Sequence, residues 1–199
     1  FLSGGVDSSY VLAMSDAKRT DSCGYEEERF DESVLARKTA EILGRESSVR
    51  VIRPEEYFEA VPYVMYHMEQ PLGDASTIVF ALGAQATAEH TKLCYSGEGA
   101  DEFFGGYNMY RNAERYGENL KTFYVGNTNI MKEDEKKKIL KHYTEGLLPI
   151  NLAKEIYEET EGLDPLSKMS DVDIQIWLEG DIYLNVDKMS EAAGLEVRM

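Results

Sequence analysis

No stretch limits the fold of this chain more than its opening nine residues, Phe1-Leu2-Ser3-Gly4-Gly5-Val6-Asp7-Ser8-Ser9. They read as the end of a buried strand, a glycine turn and the start of a helix. Two adjacent glycines let the backbone turn tightly and approach a ligand without a Cβ in the way. The helix that follows directs its free N–H groups and positive dipole end into the same turn, which suits an anion, phosphate above all. Asp7 is out of place in such a turn. A carboxylate beside phosphates is repulsive unless a cation lies between them, and Mg²⁺ is the usual one.

A strand–turn–helix opening predicts more units of the same kind, and they follow. Val11, Leu12 and Met14 give a short helix over Ser8–Met14, and Ser22–Tyr25 reads as a strand. Asp31 is suited to cap a helix that runs to Leu43 and stops at Gly44. Ser48–Ile52 is the next strand. Pro54 then opens a helix whose apolar stripe is Tyr57, Val61, Val64, Met65 and Met68 and which ends at Gln70-Pro71-Leu72-Gly73. An alanine-rich helix over Thr77–Glu89 and a strand at Leu93–Tyr95 complete the alternation. Strands alternating with helices indicate an α/β fold with a doubly wound parallel sheet, in which ligands bind at the C-terminal strand ends. The loops after the first and the fourth strands therefore both qualify as site loops.

That second loop, Ser96-Gly97-Glu98-Gly99-Ala100-Asp101-Glu102-Phe103-Phe104-Gly105-Gly106-Tyr107, packs four glycines and three carboxylates into twelve residues. Beyond Tyr107 the alternation stops and the chain reads as mostly helical, giving an α/β core over 1–107 and a helical part over 108–199. Glu133–Tyr143 is an exposed helix whose Lys136-Lys137-Lys138 run is a solvated face. Asp171–Leu184 is an apolar helix that carries Trp177 and leads into Asn185-Val186-Asp187-Lys188-Met189-Ser190.

Charge excludes some partners. The net charge is −16 at pH 7, the wrong sign for a nucleic-acid backbone or an anionic membrane surface. No apolar run is long enough to span a bilayer, and a cytoplasmic location is expected. Cys23 and Cys94 form no Cys-x-x-Cys pair and read as buried thiols. His67, His90 and His142 lack metal-ligand spacing. The chain begins without Met and in mid-strand, and stops at Val197-Arg198-Met199, so we expect a fragment truncated at both ends. Self-association into a homo-oligomer is left open.

Taken together, the two loops suggest a reaction. Asp7 and Asp101, far apart in sequence, would meet at one sheet edge, and two carboxylates with polyphosphate oxygens make a reasonable Mg²⁺ site. The competing reading of both is as helix caps. The first loop lacks the Gly-Lys-Ser/Thr ending of a kinase-type phosphate loop. The better match is a turn that holds the β and γ phosphates of ATP as a leaving group while a substrate attacks the α-phosphate.

Ser3-Gly4-Gly5-Val6-Asp7-Ser8 resembles the pyrophosphate (PP) loop of the ATP-pyrophosphatase superfamily. Ser96-Gly97-Glu98-Gly99-Ala100-Asp101-Glu102 with Phe104-Gly105-Gly106-Tyr107 is similar to the synthetase domain of the asparagine synthetases. Phe30-Asp31-Glu32-Ser33 with Ala36-Arg37, Gln70-Pro71-Leu72 with Asp74 and Ser76, and Asp187-Lys188-Met189-Ser190 with Gly194-Leu195-Glu196-Val197-Arg198 extend the likeness over nearly the whole chain. The resemblance implies that aspartate, ATP and ammonia give asparagine, AMP and pyrophosphate through a β-aspartyl-adenylate. It implies that Ser3, Gly4, Gly5, Ser8 and Ser9 hold pyrophosphate, that Asp7 and Asp101 hold Mg²⁺, and that Leu2, the backbone around Cys23, and Ser96-Gly97 line the adenosine pocket. Glu98 would take a proton from the attacking ammonia or help place the acyl-adenylate. Lys188 would stabilise charge on the α-phosphate. Without the family, Glu98 reads as a solvated loop carboxylate and Lys188 as a surface lysine.

In the glutamine-dependent members an N-terminal glutaminase domain supplies the ammonia. These 199 residues hold no counterpart of it. Two other readings stand beside this one. One is a β-lactam synthetase or a peptide-amide cyclase on the same scaffold, with Glu98 arguing against the β-lactam enzymes. The other is a non-catalytic nucleotide-binding fragment.

Overall fold

The computed structural model describes residues 1–71, 73–116, 124–126, 131, 133–144 and 148–199; Leu72, where one family match falls, lies outside the described residues. The chain forms two compact units. The first is Phe1–Glu98 with Tyr183–Met199, and the second is Gly99–Ile182. This division does not follow the sequence boundary expected after Tyr107, because the last segment of the chain rejoins the first unit.

In the first unit helix α1 (Val6–Met14) follows the glycine turn, and strand β1 (Arg19–Tyr25) leads to α2 (Ser33–Ile42) and β2 (Glu46–Ile52). Then come α3 (Pro54–Met68), α4 (Ser76–Ala88) and β3 (Leu93–Tyr95). β1 and β2 are parallel, paired from Arg19 opposite Glu46 to Tyr25 opposite Ile52. The late strand β4 (Glu196–Arg198) pairs in parallel with β3, Leu93 opposite Glu196. The opening residues lie between these two-stranded sheets. Leu2 N–H donates to the Asp21 carbonyl at 3.0 Å and Phe1 N to the Tyr95 carbonyl at 2.5 Å. Phe1–Ser3 forms no regular ladder, so the buried strand expected there is reduced to these single bonds.

Helices cover both faces of β1. Cys23 Sγ donates to the Val79 carbonyl of α4 at 3.7 Å, whereas a Cβ on neighbouring Gly24 would point at Ser33 of α2. Alternation along a strand is the cause. It continues in the opening residues. Leu2 joins a buried cluster with Leu12, Ala36 and Ala40 of α1 and α2. The Phe1 ring meets Phe80 of α4 edge-on, with centroids 5.3 Å apart. Val64, Met68, Ile78, Ala81 and Met189 form a further buried cluster. Met189 belongs to the last helix of the chain, Leu184–Ala193, which packs mainly on α4.

The strands come out longer than expected, starting at Arg19 and Glu46, because charged and hydroxyl residues at their outer ends carry no apolar signal. Asp31 caps α2 from two residues before its first turn, with its carboxylate accepting from Ser33 N–H and Oγ, each at 3.0 Å. β4 was legible only as a family motif. Its signal is Gly194, left-handed at φ 70°, followed by Leu195-Glu196-Val197-Arg198 in apolar–charged alternation.

Among its described residues the second unit has helices, 3₁₀ segments, turns and irregular stretches, and no strand. It contains α5 (Ala100–Phe104), α6 (Ala113–Tyr116), α7 (Glu133–Ile139), α8 (Lys154–Glu159) and α9 (Pro165–Val172). We number Leu184–Ala193 of the first unit α10. The exposed helix expected to reach Tyr143 stops at Ile139, and the chain doubles back so that Tyr143 Oη donates to the Glu133 carboxylate at 2.7 Å. The apolar helix expected over Asp171–Leu184 is α-helical to Val172 and π-helical over Asp173–Tyr183. Ile174, Leu178 and Ile182 repeat every four residues, between the α and π periods, so spacing alone does not separate the two forms.

The core of this unit gathers Tyr110, Ala113, Tyr124, Val125, Ala153, Ile156, Tyr157, Met169 and Val172. At its centre Asp173 is fully buried and accepts from the hydroxyls of Tyr110, at 2.5 Å, and Tyr124.

Candidate functional site

The first loop is organised by its own hydroxyls. Ser3 Oγ and Ser8 Oγ lie 2.9 Å apart, Ser3 N–H donates to Ser8 Oγ at 3.2 Å, and Gly5 N–H donates to Ser3 Oγ at 3.2 Å. Ser8 is buried beneath the first turn of α1, and Ser9 N–H closes that turn on the Gly5 carbonyl at 3.1 Å. Gly4 sits at φ 86°, the left-handed region that favours glycine. A Cβ there would also lie 2.7 Å from Ala36 N of α2. The turn is therefore wedged between α1 and α2.

The second loop touches the first. A Cβ on Gly97 would fall 2.7 Å from Ser8 N and 3.0 Å from Ser8 Cα, so only a residue without a side chain lets the backbones approach this closely. Beside this contact Ser96 is buried, and Glu98 N–H donates to Ser96 Oγ at 3.3 Å.

A cavity of about 680 Å³ opens alongside, large enough for a nucleoside. Leu2, Ser3, Cys23, Ser96 and Glu98 all line it. The three stretches expected around adenosine thus converge on one hollow, with the expected base among the residues that line it. The residues that sequence reasoning missed come mainly from α4: Ser76, Val79, Phe80 and Gly83, with Tyr25 and Glu32 opposite. The available signal was the run of small residues in Thr77–Glu89, since Gly83 lets Cys23 Sγ pack directly on α4. Burial pushes the Cys23 thiol up to about 11, which makes it a wall of the hollow and not a nucleophile.

Comparison with known proteins fits this geometry. The asparagine synthase family profile matches residues 1–199. The chain belongs to the asparagine synthase family. It is 35% identical over its whole length to the glutamine-hydrolyzing asparagine synthetase 1 of Bacillus subtilis (strain 168) and covers 38% of that protein. Shorter matches are 36% identity to asparagine synthetase 1 of Saccharomyces cerevisiae, over 39% of this chain and 14% of the yeast protein, and 30% to amidase chry2 of Gibberella zeae, over 56% of this chain and 20% of the fungal protein. The chain spans little more than a third of the Bacillus relative's length.

Not every residue expected at the site of an asparagine synthase lines this cavity. Lys188, on α10, donates from Nζ to Glu69 Oε2 at 2.7 Å. This ion pair holds the Glu69 carboxyl below the usual carboxylate range. Asp7 stands in the first turn of α1 beside the glycine turn, and Asp101 stands in the first turn of α5 in the second unit, its carboxylate turned onto Gly106. Among the described residues no group of three or more His, Cys, Asp or Glu side chains forms a metal cluster. Mg²⁺ at phosphates is held by one or two carboxylates together with the phosphates and water, so the donor type at Asp7 fits it. No helix among the described residues is long and apolar enough to cross a membrane.

Within the second unit the loop's next carboxylate, Glu102, is fully buried. It accepts from Tyr107 Oη at 2.5 Å, and its backbone carbonyl accepts from Ser170 Oγ at 2.5 Å. Burial raises the Glu102 carboxyl above its ordinary 4.5, against the pull of the Tyr107 hydrogen bond. The folded state then keeps a proton that the unfolded chain releases first. This contribution to stability is complete below about 4.5 and is lost as pH rises through the raised value. Glu102→Gln is expected to flatten that decline in thermal melts taken across pH; an unchanged pH slope would mean that Glu102 titrates alike in both states.

Proposed function

We propose that this chain is the synthetase part of an enzyme that forms asparagine from aspartate, ATP and ammonia. An aspartate side-chain oxygen attacks the α-phosphorus of ATP, the α–β phosphoanhydride bond breaks, and pyrophosphate leaves. Ammonia then attacks the acyl carbon of the β-aspartyl-adenylate, its surplus proton passes to Glu98, and the C–O bond to AMP breaks. A carboxylate that accepts this proton is useful because protonated ammonia is not a nucleophile. The observation that carries the reading is the convergence of Leu2, Cys23 and Ser96 on one nucleoside-sized hollow beside the glycine turn.

In this reading Ser3, Gly4, Gly5, Ser8 and Ser9 bind pyrophosphate, and Asp7 with Asp101 holds Mg²⁺, which would neutralise the leaving charge. Lys188 meets the α-phosphate as a point charge. The fold in this reading is a doubly wound parallel α/β sheet; the single bonds that tie Leu2 to β1 and Phe1 to β3 support it. We also propose a cytoplasmic enzyme that takes ammonia from a glutaminase domain of the same protein, and that binds neither nucleic acid nor membrane.

The test supplies the full-length protein with ATP, Mg²⁺, aspartate and ammonium and follows AMP, pyrophosphate and asparagine. AMP with asparagine is expected, and ADP in its place would overturn the adenylation step. AMP formed only with a different acid would favour a β-lactam synthetase or cyclase. Asp7→Asn is expected to lower Mg²⁺-dependent pyrophosphate release at least ~10-fold; full release by this variant would remove Asp7 from the metal site.

A further inference from the structure

Glu69 is the one described residue other than glycine with a left-handed backbone, at φ 58° and ψ 11°. It ends α3, its N–H donating to the Met65 carbonyl at 3.3 Å. Glycine or asparagine takes that position with less strain. Glutamate instead sends its carboxylate to Lys188, 119 residues further along the chain. The pair is lopsided: the Glu69 side chain is 77% exposed and that of Lys188 28%. Ion pairs this wet stabilise a fold by less than the left-handed backbone costs a residue with a Cβ. Stability therefore does not account for a glutamate here.

The backbones on either side are fixed. Met68 and Met189, the neighbours of the pair, belong to one buried cluster, and Val186 anchors the same helix in another. What remains adjustable is the Lys188 stem and its ammonium. We propose that Glu69 is the resting counter-ion of Lys188, a positioning residue that holds the ammonium until the phosphates of a nucleotide replace it. This rests on the reading of Lys188 as the cation that meets the α-phosphate. Because the pair is weak, giving it up changes nucleotide affinity only modestly. Because Lys188 is paired beforehand, a bare ammonium does not attract other anions to the site.

A double-mutant cycle on the full-length protein tests this, with magnesium ATP binding measured by calorimetry in the absence of aspartate and ammonia. Lys188→Met is expected to weaken binding at least ~10-fold, and Glu69→Gln to tighten it about two- to five-fold. In the Lys188→Met background Glu69→Gln is expected to do nothing. An equal tightening in both backgrounds would mean a general charge effect and overturn the proposal, as would no tightening in the presence of Lys188. If Lys188→Met leaves affinity unchanged, the reading of Lys188 itself falls, a separate outcome. Glu69→Gly adds a second check, since it relieves the backbone and removes the carboxylate together. We expect its Tm to rise by ~2–4 °C and its ATP affinity to follow that of Glu69→Gln. A higher Tm with unaltered affinity would reduce Glu69 to a helix terminator.

Discussion

Gly97→Ala is expected to lower the rate of AMP formation about 100-fold while leaving the chain folded. The added methyl meets backbone atoms, Ser8 N at 2.7 Å and Ser8 Cα at 3.0 Å, and backbone cannot swing aside as a side-chain tip can. The two loops must separate by some tenths of an ångström at the point where the proposed pyrophosphate cradle meets the proposed nucleoside wall. Displacements approaching 1 Å in a catalytic arrangement reach ~10²-fold in rate. The conformation of Gly97 itself is open to alanine, since its φ is not among the left-handed ones. The effect would therefore come from proximity and not from backbone strain. Gly180→Ala is the control, because a Cβ there meets nothing within 4 Å. Steady-state assays of both variants, with circular dichroism to confirm folding, decide the matter. Normal turnover by Gly97→Ala would show that the loops need not touch during the reaction.

The largest effect on stability is expected at Asp173. Its carboxylate is fully buried and receives two tyrosine hydroxyls, from Tyr110 and Tyr124, while Tyr157 Oη donates to the Tyr124 carbonyl at 2.7 Å. Burial and the Asp173 carboxylate both push the hydroxyls of Tyr110 and Tyr124 well above the ordinary tyrosine range. These tyrosines are therefore donors at any ordinary pH. Asp173→Ala leaves both hydroxyls without their acceptor inside the core, at ~1–3 kcal/mol each. A loss of roughly 2–6 kcal/mol is expected, enough to unfold the second unit of a marginally stable protein. Asp173→Asn keeps an acceptor oxygen and should recover much of that loss. Urea denaturation with hydrogen exchange over residues 99–182 would resolve the change to this unit. An alanine variant as stable as the parent would mean that the hydroxyls find other acceptors.

Sequence reasoning reached the parts of this chain that rest on local chemistry. Gly44 ends α2, Pro54 opens α3, and Leu93–Tyr95 is a strand, because each is marked by a backbone preference or a short apolar run. The Ser3–Ser9 turn and the Ser96–Tyr107 loop were legible for the same reason: their glycines and hydroxyls are rare in combination. What lay beyond reach were contacts between distant segments. Nothing near Glu69 marks it as the partner of Lys188, and nothing near Asp173 announces two tyrosines 63 and 49 residues earlier. The cavity wall on α4 was hidden in a different way. Ser76, Val79, Phe80 and Gly83 look like ordinary core positions, and nothing in their spacing says that Gly83 meets Cys23 at the wall of a hollow.

The return of Tyr183–Met199 to the first unit has a consequence for the order in which the protein is made. Phe1–Glu98 leaves the ribosome ahead of the partner of β3 and the helix that covers α4, which are encoded after the whole second unit. Closing β3 against β4 joins residues about a hundred positions apart, a slow step for any chain. Until then Ala84 and Phe80 of α4 lack their cover of Val186, Leu195 and Val197. A nascent chain halted before Tyr183 thus carries both glycine loops but an open core and no Lys188. Tyr183–Met199 thus acts as a completion step for the first unit, bringing the proposed phosphate lysine and the strand that pairs with β3 to it together.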